Sequence, residues 1–334
     1  MPTPHRLHLW RFHLPLTAPL DLGAVTLDQR EGLLLQWEQD GAPCVWSEIS
    51  PLPGFSPHDL ETCLRALQGH LEPPGPLAER LGRDTRDLPP EVRFGIEAGL
   101  LQCTTALPPP RPLPRCRLLR HDDPARSGPA PESACIKLKV GRATPRADRD
   151  TLLGLLQRLK PGQRLRLDAN RSWSLEDART VLEGMDPQRI AFVEEPLRPG
   201  LDYGPWPGIS AVPFAWDETL RAGTAPFPAK TLDTPGLGAL VLKPMLTGLT
   251  ETQRLVTAAR TRGLQVILSA AYESNLTLDL YARLADYWGL PGPHGLDTFS
   301  ALGHALLAPI ESQPEHRQRP ICPREALEPL GTWT

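Results

Sequence analysis

RLRLDAN, residues 164–170, places polar and apolar side chains on alternate positions: Arg166, Asp168 and Asn170 share one face, Leu165 and Leu167 the other. A period of two is that of a β-strand. Such a strand packs its leucines against an apolar layer and turns its charges towards a polar site. Five further runs have a similar form: ACIKLKV (134–140), IAFVEEP (190–196), PFAWDET (213–219), GALVLKP (238–244) and LQVILSA (264–270). Their closing residues, with Asp168, are Lys139, Glu194, Asp217, Lys243 and Ser269, and the six follow one another at intervals of 29, 26, 23, 26 and 26 residues. Strand and helix alternating at that interval is the βα unit, and six or more in series predict an eight-stranded α/β barrel with its site at the C-terminal ends of the strands. The competing doubly wound sheet needs a Gly-rich phosphate turn after its first strand, and no G-x-G-x-x-G occurs in the chain.

Working outward, proline marks where helices are allowed, because it costs about 3 kcal/mol in a helix interior. The chain has forty prolines in 334 residues. Five stretches free of them are expected to be helices: His58–Glu72, Glu91–Ala106, Arg146–Lys160, Leu249–Arg262 and Ser274–Leu290. Leu60, Cys63, Leu64 and Leu67, or Leu152, Leu155, Leu156 and Leu159, recur at three- and four-residue intervals, as an amphipathic helix requires. Before about residue 110 the pattern differs: strand-like segments Arg6–Leu14, Gly32–Glu38 and Cys44–Ile49 precede two helices. That predicts an α+β capping domain over 1–107, with residues from about 305 to 334 packing back on it. The barrel would occupy 108–304, entered through the proline-rich ALPPPRPLP (106–114).

Composition excludes several classes of function. Thirty-six basic against 39 acidic residues give a formal net charge of −3, without the basic excess of a nucleic-acid footprint. No run approaches the roughly 20 apolar residues of a membrane span. The first twenty residues lack the unbroken apolar core of a secretory signal. Six cysteines with no C-x-x-C spacing read as reduced thiols, so a cytoplasmic protein is expected. His5, His8 and His13 have spacings that suit no common metal site and read as edge-strand or surface residues. Oligomeric state is undecided.

The strand ends carry the chemistry. Asp168, Glu194 and Asp217 fall on three consecutive strands, each on the face its strand turns inward. Three carboxylates on a rigid frame supply the oxygen ligands a hard divalent cation needs, so Mg²⁺ is expected, with Mn²⁺ as a substitute. Without a cation they would repel one another. Lys139, sharing a face with Lys137, lies on the strand before the acids and Lys243 on the strand after them. A lysine acts as a base only when its pKa falls from about 10.4 towards 7–8, which a neighbouring cation and partial burial promote. The chemistry implied is removal of a proton next to a carboxylate.

At these residues the sequence resembles the enolase superfamily and, within it, the o-succinylbenzoate synthase family. The resemblance rests on KLK (137–139), LRLDANRSW (165–173), FVEEPL (192–197), AWDETL (215–220), VLKPMLTG (241–248), ESNLTL (273–278) and GLDT (295–298), joined by EISPLPGFS (48–56) in the small domain. It implies a modified (β/α)7β barrel under a capping domain, and Mg²⁺ ligation by Asp168, Glu194 and Asp217. Glu194 rather than Glu195 is chosen because the family's ligand is the first acid of its E-E-P motif. It also implies a small anionic substrate, 2-succinyl-6-hydroxy-2,4-cyclohexadiene-1-carboxylate, dehydrated to o-succinylbenzoate on the route to menaquinone or phylloquinone. Lys139 would take the α-proton and later assist loss of the hydroxyl as water; Lys243 would stabilise the enediolate. Lys137, Arg166 and Asn170 would support them, and Ser269 and Gly295 would meet the substrate. A loop around Leu20–Arg30 would close over the site. An N-acylamino-acid racemase or a dipeptide epimerase, using the same lysine pair, stays open, although the GLDTF segment lacks the D-x-D of a dipeptide epimerase. A catalytically inactive barrel would require the loss of one of the five ionic positions, and none is lost.

Overall fold

Two sheets divide the chain where its sequence pattern changes. The computed structural model describes residues 4–23, 25–119, 132–221 and 226–334. Strands β1 (Arg6–Asp21), β2 (Thr26–Glu38) and β3 (Val45–Ile49) pair antiparallel in that order. Alternation along them sends Leu7, Leu9, Leu33, Leu35, Trp37 and Ile49 into a core shared with α1 (Leu60–Leu71) and the short α2 (Leu77–Leu81). Helix α1 starts at Asp59, whose side chain accepts from the Thr62 amide at 2.7 Å. Helix α3 (Pro90–Thr104) is apolar on two sides because it separates two cores: Val92, Ile96 and Cys103 face the small domain, Phe94 and Ala98 the larger core. Gly99 lets it lie against the sheet, since a Cβ there would stand 2.0 Å from the Trp37 ring.

Beyond the proline-rich connection, seven parallel strands follow in chain order around a second sheet. They are β4 (Cys116–Leu119), β5 (Cys135–Lys139), β6 (Arg164–Asp168), β7 (Ile190–Glu194), β8 (Phe214–Trp216), β9 (Leu237–Leu242) and β10 (Gln265–Leu268). Helix α4 (Pro145–Arg158) links β5 to β6, α5 (Leu175–Leu182) links β6 to β7, α6 (Pro244–Thr247) and α7 (Leu249–Arg260) link β9 to β10, and α8 (Asn275–Tyr287) follows β10. Among the described residues only 3₁₀ turns, and no α-helix, join β7 to β8 and β8 to β9.

The gap between β10 and β4 is closed by two residues. His294 bridges Arg115 and Gly295 bridges Ser269, both in parallel sense. The His294 carbonyl accepts from the Cys116 amide and the Gly295 amide donates to the Leu268 carbonyl, each at 2.8 Å. The eighth strand is thus reduced to its hydrogen bonds. Burial holds His294 neutral, down to about 4, so its Nδ1 can accept from the Leu268 amide at 3.2 Å. Two-residue alternation sorts the barrel strands: Leu165, Leu167, Val193, Phe214, Leu240 and Leu268 pack outward beneath the helices, while Phe192, Ala215, Ala239, Val241 and Ile267 fill the interior.

After the barrel, β11 (Ala305–Leu306) pairs with β12 (Ile321–Cys322), and β13 (Glu328–Trp333) adds to the free side of β1. The first sheet then runs β13-β1-β2-β3. Leu20–Arg30 is not the loop the sequence suggested. The pairings Leu20↔Leu27 and Asp21↔Thr26, which resume after a register shift beyond Pro15, carry the β1–β2 hairpin through most of it, because strand pairing satisfies backbone groups that a loop would expose. Ala24 lies outside the described residues. His8, set in β1, bonds Glu38 at 3.0 Å and Thr332 at 2.9 Å across the sheet. Cys116 and Cys135, distant in sequence, are paired on β4 and β5 with their Sγ atoms 2.8 Å apart, and all six thiols are free.

Candidate active site

All ten residues singled out from the sequence line one pocket at the C-terminal ends of the barrel strands: Lys137, Lys139, Arg166, Asp168, Asn170, Glu194, Asp217, Lys243, Ser269 and Gly295. The register puts Lys139 beside Asp168 and Asp168 beside Glu194. Glu194 pairs with Ala215, so Asp217, two residues on, shares its face. The three carboxylates are buried, each 2% exposed.

Three ammonium groups hold them. Lys137 Nζ lies 2.9 Å from Asp168 Oδ2 and 2.7 Å from Glu194 Oε2. Lys139 Nζ donates to Asn170 Oδ1 at 2.8 Å and stands 3.4 Å from Asp168 Oδ2. Lys243 Nζ pairs with Asp217 Oδ2, whose other oxygen accepts from Arg221 at 2.9 Å. Burial disfavours all these charges, and the local partners decide the outcome. For Lys137, Asp168 and Glu194 outweigh burial and hold its ammonium well above the ordinary lysine range. Burial would raise Asp168, but Lys137 and Lys139 keep it low; Asp217 is likewise held low by Lys243 and Arg221. For Glu194 burial prevails over Lys137, and with Asp168 and Asp217 nearby its carboxyl is pushed up to about 8. Arg166 lies 4.9 Å above the Phe192 ring, and its buried Nε has no hydrogen-bond partner.

The donor set suits a hard cation: three buried carboxylates on adjacent strands, with no thiolate or imidazole among them. As the side chains stand, their oxygens are engaged by the lysines. Among the described residues no three His, Cys, Asp or Glu side chains have the geometry of a metal site.

Glu195 is turned elsewhere. Its residue adopts φ 42°, and its carboxylate accepts from the Asp217 amide at 2.8 Å, the Thr219 amide at 2.6 Å, Thr219 Oγ1 at 2.9 Å and Arg171 Nε at 3.3 Å. It ties the end of β7 to the turn that carries Asp217. Asn170 and Arg171, at φ 44° and 58°, make the same left-handed exit after β6. Non-glycine residues in that region are strained, and they cluster here at the strand ends. Sequence reading missed this clasp because only Glu195's neighbour bore a recognisable spacing.

The small domain supplies the remaining wall. Asp21 and Leu22 from the β1–β2 hairpin, and Leu52 and Phe55 from the turn after β3, line the pocket together with Ala270, Ala271 and Tyr272 of the barrel. EISPLPGFS marked that turn, but nothing in it told which side chains reach the barrel. Ser269 and Gly295 pack tightly together, since a Cβ on Gly295 would stand 2.7 Å from Ser269 Oγ. Asp297 is paired with Arg115 at 3.3 Å.

Residues 269–274 are braced from behind by Glu273, a fully buried carboxyl that accepts from the Ala271 amide at 2.5 Å and the Tyr281 hydroxyl at 2.9 Å. Burial, and to a lesser degree Glu48, push it from 4.5 up to about 7. A carboxyl raised on folding contributes its full stability below 4.5, where it is protonated in both states, and loses it as pH rises through about 7. The charged form is disfavoured by up to about 3 kcal/mol. The melting temperature of Glu273→Gln relative to the parent is therefore expected to rise between pH 5 and pH 8. A constant difference across that range would show that Glu273 titrates normally.

Comparison with known proteins adds to this geometry. Residues 130–306 match the family model described as enolase C-terminal domain-like, and residues 5–103 that of the MenC N-terminal domain. The o-succinylbenzoate synthase of Klebsiella pneumoniae (strain 342) is 34% identical over 336 residues, covering 96% of this chain and 98% of the relative. The solved o-succinylbenzoate synthase of Thermosynechococcus elongatus BP-1, with Mg in its active site, superposes with a TM-score of 0.68 at 25% identity, over 87% of this chain and 92% of that one. The L-Ala-D/L-Glu epimerase of Bacillus subtilis superposes equally well, TM-score 0.69, at 18% identity over 90% of this chain and 91% of that one. At that identity the likeness concerns the fold alone.

Proposed function

This chain belongs to the o-succinylbenzoate synthase family of the enolase superfamily, and on that premise we propose how its own residues carry the reaction. It is a hydro-lyase of menaquinone biosynthesis acting on a small molecule. The substrate in this reading is the dianion 2-succinyl-6-hydroxy-2,4-cyclohexadiene-1-carboxylate, and the products are o-succinylbenzoate and water. The observation that carries the reading is the pair of lysine side chains, Lys139 at the end of β5 and Lys243 just after β9, flanking three buried strand-end carboxylates.

Asp168, Glu194 and Asp217 would hold Mg²⁺, with Mn²⁺ able to replace it. Bound there, the cation neutralises negative charge developing on the substrate carboxylate as the α-proton leaves. Lys139, as the free amine, takes that proton. The electron pair left on the ring expels the neighbouring hydroxyl, and Lys139, now an ammonium, returns a proton to it as water leaves from the same side. Asn170 Oδ1, 2.8 Å from Lys139 Nζ, aims the amine. Lys243 remains an ammonium and stabilises the anion by charge and by contact with the conjugated ring face. Lys137 holds Asp168 and Glu194 in place. Arg166, inward-facing beside Asp168 and 4.9 Å above the Phe192 ring, helps set the charge at the base, and Ser269 and Gly295 shape the end of the pocket that takes the substrate's second carboxylate. In this reading residues 1–107 cap a barrel of residues 108–304, and the protein works in the cytoplasm.

Incubation of purified protein with the cyclohexadiene acid and Mg²⁺ is expected to show loss of the diene absorbance and formation of o-succinylbenzoate. Absence of aromatisation, with racemisation of an N-succinylamino acid in its place, would overturn the assignment.

A further inference from the structure

We propose that Arg30 is a positioning residue that sets the width of the substrate pocket by fastening its capping-domain wall to its barrel wall. The inference rests on the functional reading above for what the pocket holds, and on geometry alone for the fastening.

Arg30 lies on β2, far in sequence from every strand-end residue, and is only 2% exposed. Its guanidinium reaches three carbonyls on two backbone segments. Nη1 donates to the Pro51 carbonyl at 3.0 Å, and Nη2 donates to the Ser50 carbonyl at 3.2 Å and to Ser50 Oγ at 2.8 Å. Nε donates to the Tyr272 carbonyl at 3.1 Å. Ser50 and Pro51 lead directly into Leu52 and Phe55, the cap side of the pocket; Tyr272 ends the run Ala270–Tyr272 on the barrel side. One rigid, planar group therefore sits at the root of both walls. Lysine carries its donors on a single nitrogen and cannot reproduce the planar spread with which the three guanidinium nitrogens meet these carbonyls.

A second contact from the same domain grips the far end of the barrel segment. Glu48, fully buried on β3, accepts from the Ser274 amide at 3.1 Å, Ser274 Oγ at 2.6 Å and Thr277 Oγ1 at 2.7 Å. It caps the N-terminus of α8 from another domain, where Ser274 makes no capping bond of its own. Tyr272, between the two grips, is held at φ 62°, a conformation a tyrosine keeps only when its surroundings enforce it. Removing the guanidinium would leave the Ser50, Pro51 and Tyr272 carbonyls without their buried donor, and both walls would shift to find others.

Arg30 touches none of the groups assigned to the reaction. A wider pocket loosens substrate and transition state alike, which raises KM and spares kcat. The test compares Arg30→Met and the milder Arg30→Lys and Ser50→Ala with the parent, at a temperature where circular dichroism shows each folded. Arg30→Met is expected to raise KM at least about tenfold with kcat within about threefold, and Arg30→Lys to fall between. Hydrogen exchange read by mass spectrometry is expected to show protection lost in residues 50–56 and 269–274 together. A folded variant with unchanged KM, or loss confined to one segment, would overturn the proposal. If Arg30→Met does not fold, Arg30→Lys and Ser50→Ala decide by the same two readouts. Should the parent fail to turn over the diene acid, the functional reading falls, and exchange in the two segments still decides the fastening.

Discussion

Lys139→Ala is expected to lower kcat by about 10⁴-fold or more while leaving the fold and Mg²⁺ affinity intact. One positioned proton-transfer group contributes about 10²–10⁴-fold, and here the same nitrogen serves as base and then as acid, so the loss falls at or beyond the upper end. The fold should survive because Lys139 leaves no charge stranded. Asp168, its nearest carboxylate at 3.4 Å, keeps Lys137 at 2.9 Å. Asn170 loses one acceptor contact at the pocket surface. Steady-state kinetics, a thermal melt and Mg²⁺ titration by calorimetry separate these outcomes. A folded, Mg²⁺-binding variant that kept a tenth or more of the parent's kcat would move the proton transfer to another group, with Lys243 the first to examine.

Glu194→Gln is expected to abolish activity by a different route, weakening Mg²⁺ binding at least about 100-fold, beyond the 10–100-fold that loss of an outer-shell partner costs. The substitution keeps the shape of the side chain and removes its charge. Chelation of the parent with excess EDTA should likewise stop turnover, and added Mg²⁺ or Mn²⁺ should restore it; the variant should not recover at concentrations that saturate the parent. Full turnover in EDTA would remove the metal from the reaction. Together the two variants separate loss of the base, which spares binding of the cation, from loss of a ligand, which does not.

Most of the barrel was legible because its signals are local. Strands with leucine on one face and charge on the other leave little freedom in orientation, so RLRLDAN alone fixes which way Arg166 and Asp168 point. Proline-free stretches located α1, α3, α4, α7 and α8 to within a few residues. Helix α5 was passed over although RSWSLEDART carries its start: Ser174 and Asp177 form a reciprocal capping box, a stronger mark than the absence of proline. That only turns, among the described residues, flank β8 was not legible, since a βα repeat counts strands and its interval survives when a helix is replaced by turns. Nor was the eighth strand, whose two residues are too few to show a period.

By itself the sequence determined the order of strands, the inward face of each, and the set of carboxylates and lysines at their ends. A period of two and a recurring interval are written in neighbouring residues and need no knowledge of the rest of the chain. Only the tertiary structure decided how the acids and amines pair, that Glu195 braces Asp217, and that Arg30 and Glu48 reach residues 272 and 274. Those contacts join positions more than two hundred residues apart in the last two cases. No local pattern encodes them; they exist because packing the capping domain on the barrel buries the polar groups of both, and buried polar groups must find partners.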